Sequence, residues 1–281
     1  MEHKHFRIYS VVLSVAIFAA SVLYDYFTIR KHNLMLDLGL KMIPVWSAII
    51  FSLAYIYLYR LNIYVSLMIM ALFLCFFGDL FLGLYDPKIT SSYDDMVYFL
   101  LGGGSFFFAR VILCINFMIK PFKRLSLIRY SVKKYLVVTI ATLIAFIGLG
   151  VANIVMFNTN ISKLMFGYIM LGMGLPLSYS FLRINAIPGE NRASCIKAFI
   201  GVCLFNISDI ILLLNMSLVN LPNYIHVISN NIYWGGLYLL AVSILRTQTD
   251  HEELNGSQHL PLIYTNSAEY TNFVDDSLMG I

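Results

Sequence analysis

Eight apolar runs, each close to the length that crosses a bilayer, divide the first 245 residues of this chain. A spanning helix needs about 20 mostly apolar residues. The runs cover roughly residues 8–24, 36–59, 63–85, 97–119, 135–157, 164–182, 196–215 and 224–245. Lipid offers the backbone no hydrogen bonds, so only helices and closed barrels span it. These runs are too long and too uniformly apolar for barrel strands. The expected fold is therefore all-α, a polytopic membrane bundle of eight transmembrane helices over residues 1–246. Residues 247–281 are polar and read as a disordered cytoplasmic tail. Composition agrees, with 59% hydrophobic and 12% charged residues. A soluble domain holds roughly 45–50% and about 25%. Soluble domains, disordered chains and disulfide scaffolds are excluded on that ground. The net charge of +4 rests on too few charges to track nucleic acid. Cys75, Cys114, Cys195 and Cys203 form no Cys-x-x-Cys pair and read as small buried apolar residues.

Loop charge sets the expected orientation. Eight spans leave both termini on one side, which carries thirteen Lys and Arg, including Lys120, Lys123, Arg124, Arg129, Lys133 and Lys134. The other side carries four, Arg30, Lys31, Lys88 and Lys163. Basic loops stay cytoplasmic, so both termini are expected there, in the endoplasmic reticulum or another endomembrane. The first run follows His3, Lys4 and Arg7 and contains Ala19, Ala20 and Ser21, which fits a cleavable leader. The charge count favours a retained helix. Tyr270-Thr271-Asn272-Phe273 in the tail fits a Tyr-x-x-bulky sorting pattern. Asn160-Ile161-Ser162 is a glycosylation sequon in a very short loop.

Ionisable residues inside spans are costly, about 2.5–3.5 kcal/mol each on the lenient insertion scale, and turn toward the bundle interior. This chain places Asp37 and Lys41 early in span two, Asp79 in span three, Arg110 in span four and Asp209 in span seven. At about 1.5 Å per residue, Asp79 and Asp209 lie at matched depth in the exoplasmic half. Lys41 lies near the same level, and its i,i+4 spacing from Asp37 allows a pair on one helix face. Arg110 sits deeper, with a side chain directed toward the exoplasmic end of its helix. Asn206 shares the face of Asp209, and Asn230, Asn231 and Tyr233 occupy the first turns of span eight. Polar groups from several helices thus share one layer. Such a layer serves equally as helix–helix glue or as a functional site. The two aspartates also sit in similar text, Phe77-Gly78-Asp79-Leu80 and Ile207-Ser208-Asp209-Ile210, 130 residues apart. Pro44 and Pro176 lie 132 apart. Both offsets suggest a parallel 4+4 repeat.

Lys41-Met42-Ile43-Pro44, Phe77-Gly78-Asp79 and Gly201-x-x-Leu204-Phe205-x-x-Ser208-Asp209 occur in this order and in register with the spans. In this the chain resembles the YhhN/lysoplasmalogenase family of eight-helix membrane proteins across roughly residues 34–245. It departs from the family in span four, where Ala109-Arg110 stands in place of Ala-His. It departs again in span eight, where Tyr233-Trp234-Gly235-Gly236-Leu237 stands in place of Tyr-x-x-Ala-Gln. The resemblance implies hydrolysis of the vinyl ether bond of lysoplasmalogens, giving a fatty aldehyde and a glycerophospho-ethanolamine or -choline, with no metal or organic cofactor. The implied partners are a lysophospholipid substrate and the bilayer.

Vinyl ethers hydrolyse through protonation at carbon. A site needs an acid, a negative charge near the oxocarbenium ion and a positioned water. Two carboxylates in different environments can divide that work. Asp79 is the expected acid and Asp209 the base or electrostatic stabiliser. Lys41, Arg110, Asn206, Asn230 and Tyr233 are the expected substrate-binding residues. The six His are scattered through tails, loops and a helix end and make no zinc site. Gly102-Gly103-Gly104-Ser105 lacks the nucleophile-elbow frame. Two alternatives stay open. A small-solute or proton-coupled transporter fits the repeat and the Gly/Pro-interrupted stretch Leu171-Gly172-Met173-Gly174-Leu175-Pro176. A non-catalytic scaffold fits the departures at Arg110 and Leu237.

Overall fold

The computed structural model describes residues 2–30, 34–59, 62–84, 93–123, 132–157, 167–184, 191–217 and 223–246. The tail, its Tyr270 pattern and the Asn160 sequon lie outside the described residues. Each expected span is a helix. They are α1 (Glu2–Arg30), α2 (Leu34–Tyr59), α3 (Ile63–Leu84), α4 (Tyr93–Lys123) and α5 (Val132–Phe157). Next, α6 is a π-helical segment, Tyr168–Gly174, running directly into the α-helix Leu175–Arg183. Then α7 is Arg192–Ser217, and α8 is Asn223–Val242, closed by a 3₁₀ turn at Ser243–Arg246. Six helices, α1 to α5 and α7, hold stretches long and apolar enough to cross a membrane. The other two are the interrupted α6 and the more polar α8.

The surface is built for lipid. Phe18, Tyr57, Ile144 and Val155 point outward, with Tyr57 90% exposed. Asp79, Arg110, Asn116, Arg183, Asn206 and Asp209 are buried. Lipid tails solvate apolar side chains as well as a core does, so polar groups go inside, where they find partners.

Packing runs α1–α2–α3–α4–α6–α7–α8 and back to α1, with α5 outside, against α6. Matching α1–α4 onto α5–α8 reproduces four contacts. The pairs α1/α2, α2/α3 and α3/α4 correspond to α5/α6, α6/α7 and α7/α8, and α4/α6 corresponds to α8/α2. The α1/α8 contact has no counterpart of similar extent between α5 and α4 among the described residues. The contacts follow the parallel 4+4 pattern. The main core draws on α1 through Leu13, Ile17 and Tyr24, and on α2, α3, α4, α7 and α8. Phe99, Ile169, Met173 and Leu213 make a smaller cluster joining α4, α6 and α7.

Helices α7 and α8 meet backbone to backbone. A Cβ on Gly201 would stand 3.0 Å from the Gly236 carbonyl, and one on Gly236 would stand 2.9 Å from the Gly201 carbonyl. Only glycine at both positions allows this approach, as small residues do between membrane helices.

A second polar layer ties the end where α3 begins. Arg183, expected in a cytoplasmic loop, is buried with its guanidinium 4.3 Å from the Tyr64 ring centre. The Tyr64 hydroxyl shares a hydrogen bond with Ser243 Oγ at 3.1 Å, and Asn116 Nδ2 donates to the Tyr64 carbonyl at 3.1 Å. Ser194 Oγ donates to the Ser243 carbonyl. These contacts tie α3, α4, α6, α7 and the end of α8 together.

Candidate functional site

Asp79 lies one turn from the end of α3, and the residue before it explains the local text. A Cβ on Gly78 would stand 2.6 Å from the Phe106 ring. Glycine there lets Phe106 pack beside the acid, edge-on to Phe205 and Tyr233. Lys41 Nζ reaches Asp79 Oδ1 at 3.3 Å, and the Tyr233 hydroxyl donates to Asp79 Oδ2 at 2.8 Å. Lys41 thus pairs across helices with Asp79. The Asp37 side chain, and with it the expected pairing of Asp37 with Lys41, lies outside the described residues.

Asp209 on α7 is held in the same manner. Arg110 Nη2 meets Asp209 Oδ2 at 2.6 Å, and the Tyr168 hydroxyl donates to the same oxygen at 2.5 Å. The second acid therefore repeats the first with its partners exchanged. Each aspartate takes one partner from the second helix of its own half and one from the fourth helix of the other half. For Asp79 the cation comes from α2 and the tyrosine from α8. For Asp209 the tyrosine comes from α6 and the cation from α4.

The two centres are continuous. The Phe205 ring lies edge-on to Tyr233, centroids 5.0 Å apart, and the Arg110 guanidinium sits 3.6 Å over that same ring. A guanidinium desolvated on an aromatic face gains about 2 kcal/mol. Asp79, Tyr233, Phe205, Arg110 and Asp209 thus form one buried chain across the bundle. Cys75, one turn before Asp79 on the same face, is buried beside it.

Tyr168 reaches Asp209 because α6 is not a plain α-helix. Pro176 has no N–H and its ring crowds the preceding turn. The backbone ahead of it takes the wider π register, a local form frequent at functional sites. Asn206, one turn before Asp209, donates from Nδ2 to the Met173 carbonyl in this segment at 3.2 Å.

The expected set is partly brought together. Lys41, Arg110 and Tyr233 touch an acid, and Asn206 lies one turn from Asp209. Asn230 does not join them, for its Nδ2 donates to the Tyr24 hydroxyl on α1 at 2.7 Å. Asn231 likewise spans both oxygens of Asp25 at 3.2 Å. That end of α8 is engaged in holding α1. Among the described residues no group of three or more His, Cys, Asp and Glu is placed to hold a metal ion.

Several atoms near Asp209 keep unused hydrogen-bonding capacity. Arg110 is fully buried, yet its Nε and Nη1 have no partner, and neither has Asn206 Oδ1. An unmade hydrogen bond in a buried site costs about 1–3 kcal/mol.

Residues 36–244 match the YhhN family, well over half the chain, and the match includes both acids and all four of their partners. The chain belongs to the YhhN family. No curated protein and no solved structure matches it. It is thus a multi-pass helical membrane protein of the YhhN family whose two aspartates, on corresponding helices of the two halves, share one buried layer.

Proposed function

We propose that this YhhN-family chain hydrolyses the vinyl ether bond of a lysoplasmalogen to a fatty aldehyde and a glycerophospho-ethanolamine or -choline. The observation that carries the proposal is the pair of buried carboxylates held by different cations. Arginine is a permanent cation, whereas lysine in an apolar site gives up its proton readily. Asp209 beside Arg110 suits the fixed negative charge. Lys41, Asp79 and Tyr233 form a chain of three groups that can pass protons, and the Lys41 side chain retains 18% exposure.

In the first step, Asp79 protonates the alkenyl carbon beta to the ether oxygen, and the double bond's electrons form the new C–H bond. The resulting oxocarbenium ion is stabilised by Asp209, whose charge is already in place. Water adds to the cationic carbon and loses a proton. The hemiacetal then breaks its C–O bond, releasing aldehyde and glycerol hydroxyl, and the acid regains its proton. Lys41 and Arg110 remain near the polar part of the substrate. The endomembrane location, with both termini cytoplasmic, is part of the same proposal.

The test is aldehyde release by the purified chain in detergent. A lysoplasmalogen should yield aldehyde, and the matching saturated 1-O-alkyl lipid should yield none. A folded protein inert toward both would overturn the proposal. A carrier is the second reading, favoured by the interrupted α6 in a parallel repeat. It predicts Asp79-dependent flux in proteoliposomes and no aldehyde.

A further inference from the structure

Asp79 and Asp209 differ in one respect that their shared layer conceals. Both oxygens of Asp79 are engaged, Oδ1 by Lys41 and Oδ2 by Tyr233. Both partners of Asp209 bind the same oxygen, Oδ2. Oδ1 of Asp209 therefore has no hydrogen bond among the described residues. The neighbouring side chains carry further unused atoms, Arg110 Nε and Nη1 on the guanidinium that bonds Oδ2 and Asn206 Oδ1 one helical turn before Asp209. The Asn206 amide is oriented by its bond to Met173, which uses Nδ2 and leaves Oδ1 free.

Two acceptors and a cationic donor edge call for a small molecule that both donates and accepts. An ionised phosphodiester has no hydrogen to donate, and a vinyl ether group has none either. Water donates twice and accepts twice, and buried waters typically bond about three otherwise unsatisfied polar groups. We propose that Asp209 Oδ1, Arg110 and Asn206 form the seat of the hydrolytic water, and that Tyr168 is the positioning residue that turns Asp209 toward it. By donating to Oδ2 beside Arg110, the Tyr168 hydroxyl fixes the carboxylate plane and leaves Oδ1 for the water. The water's oxygen forms the bond to the oxocarbenium carbon, and its proton passes to Asp209 Oδ1. The π-helical register of α6 is what delivers Tyr168, so the segment serves the site directly.

This inference rests on the hydrolase reading for its chemistry, and its test separates the two. The full chain in detergent is given lysoplasmalogen with methanol as a competing nucleophile. Water leads to aldehyde, and methanol leads to a mixed acetal. The ratio of the two products does not depend on how much of a variant is folded. Parent protein should give an acetal fraction well below that of simple acid hydrolysis at the same methanol content. Tyr168→Phe and Asn206→Leu should each raise that fraction severalfold. An unchanged ratio in both variants, or a parent ratio equal to that of acid alone, overturns the seat. If the parent forms neither product, the hydrolase reading fails. An experimental density map then decides the seat by itself. An ordered oxygen within hydrogen-bond distance of Asp209 Oδ1 and Arg110 Nε supports it, and protein atoms filling that position overturn it.

Discussion

Breaking the Arg110–Asp209 pair from either side should cost more than removing it whole. The contact is 2.6 Å, Arg110 is fully buried, and the Asp209 side chain is 10% exposed. Arg110→Met leaves a carboxylate with only Tyr168 to bind it. Asp209→Asn leaves a guanidinium over Phe205 with no counter-charge. Stranding one member of a buried pair costs about 3–5 kcal/mol. An uncompensated charge at a helix centre costs about 2.5–3.5 kcal/mol on the insertion scale. The two figures overlap near 3 kcal/mol, which is the value expected for each single change. The double variant strands neither charge, so its cost should fall below that of either single change, short of the summed singles by more than about 3 kcal/mol. Reversible unfolding in mixed micelles, with increasing fractions of denaturing detergent, measures all four corners of the cycle. Costs that add to within about 0.5 kcal/mol, as for independent sites, would refute the coupled buried pair.

Three further outcomes follow from the packing. Gly236→Ala puts a Cβ 2.9 Å from a backbone oxygen that cannot yield, so its unfolding free energy should drop by about 1–3 kcal/mol. Gly235→Ala meets only Leu204 at 3.6 Å and should be neutral or raise stability by up to about 1 kcal/mol through helix propensity. Tyr168→Phe removes a hydrogen bond to a carboxylate and should cost about 1.5–3 kcal/mol, whereas Asn230→Ala should cost about 1 kcal/mol; thermal unfolding in detergent ranks the two.

The eight helices were readable because hydrophobic length is the dominant constraint in lipid. Span three was expected at 63–85 and is Ile63–Leu84. The first helix extends beyond its apolar run at both ends, to Glu2 and Arg30, because a helix need not stop where the hydrocarbon does. Asp79, Asp209, Lys41, Arg110 and Tyr233 were found because charges and polar groups are rare in such text. Their pairing was not readable, since depth gives the layer but not the rotation of each helix. Lys41 faces Asp79 across α2 and α3, which spacing along α2 alone does not indicate. Tyr168 was missed for a sharper reason. Its contact depends on a π register set by Pro176, while an α-helical count from that proline places Tyr168 on a different face. The repeat held a usable signal, for Asp209 needed a partner on span six as Asp79 has Lys41 on span two. Asn230 bonds the Tyr24 hydroxyl on α1, a partner that depth along span eight does not reveal. Arg183 was counted as a loop cation because it ends its helix, yet the aromatic rings of Tyr64 and Phe117 let it fold inward.

The most direct measurement is aldehyde release from lysoplasmalogen by purified parent, Asp79→Asn and Asp209→Asn proteins, each first shown to unfold cooperatively in the same detergent. Two carboxylates that divide acid and base work predict release by the parent and a loss of about 10²–10⁴-fold in each variant, the usual weight of one acid–base group. Full activity in either folded variant, or none in a folded parent, contradicts the account.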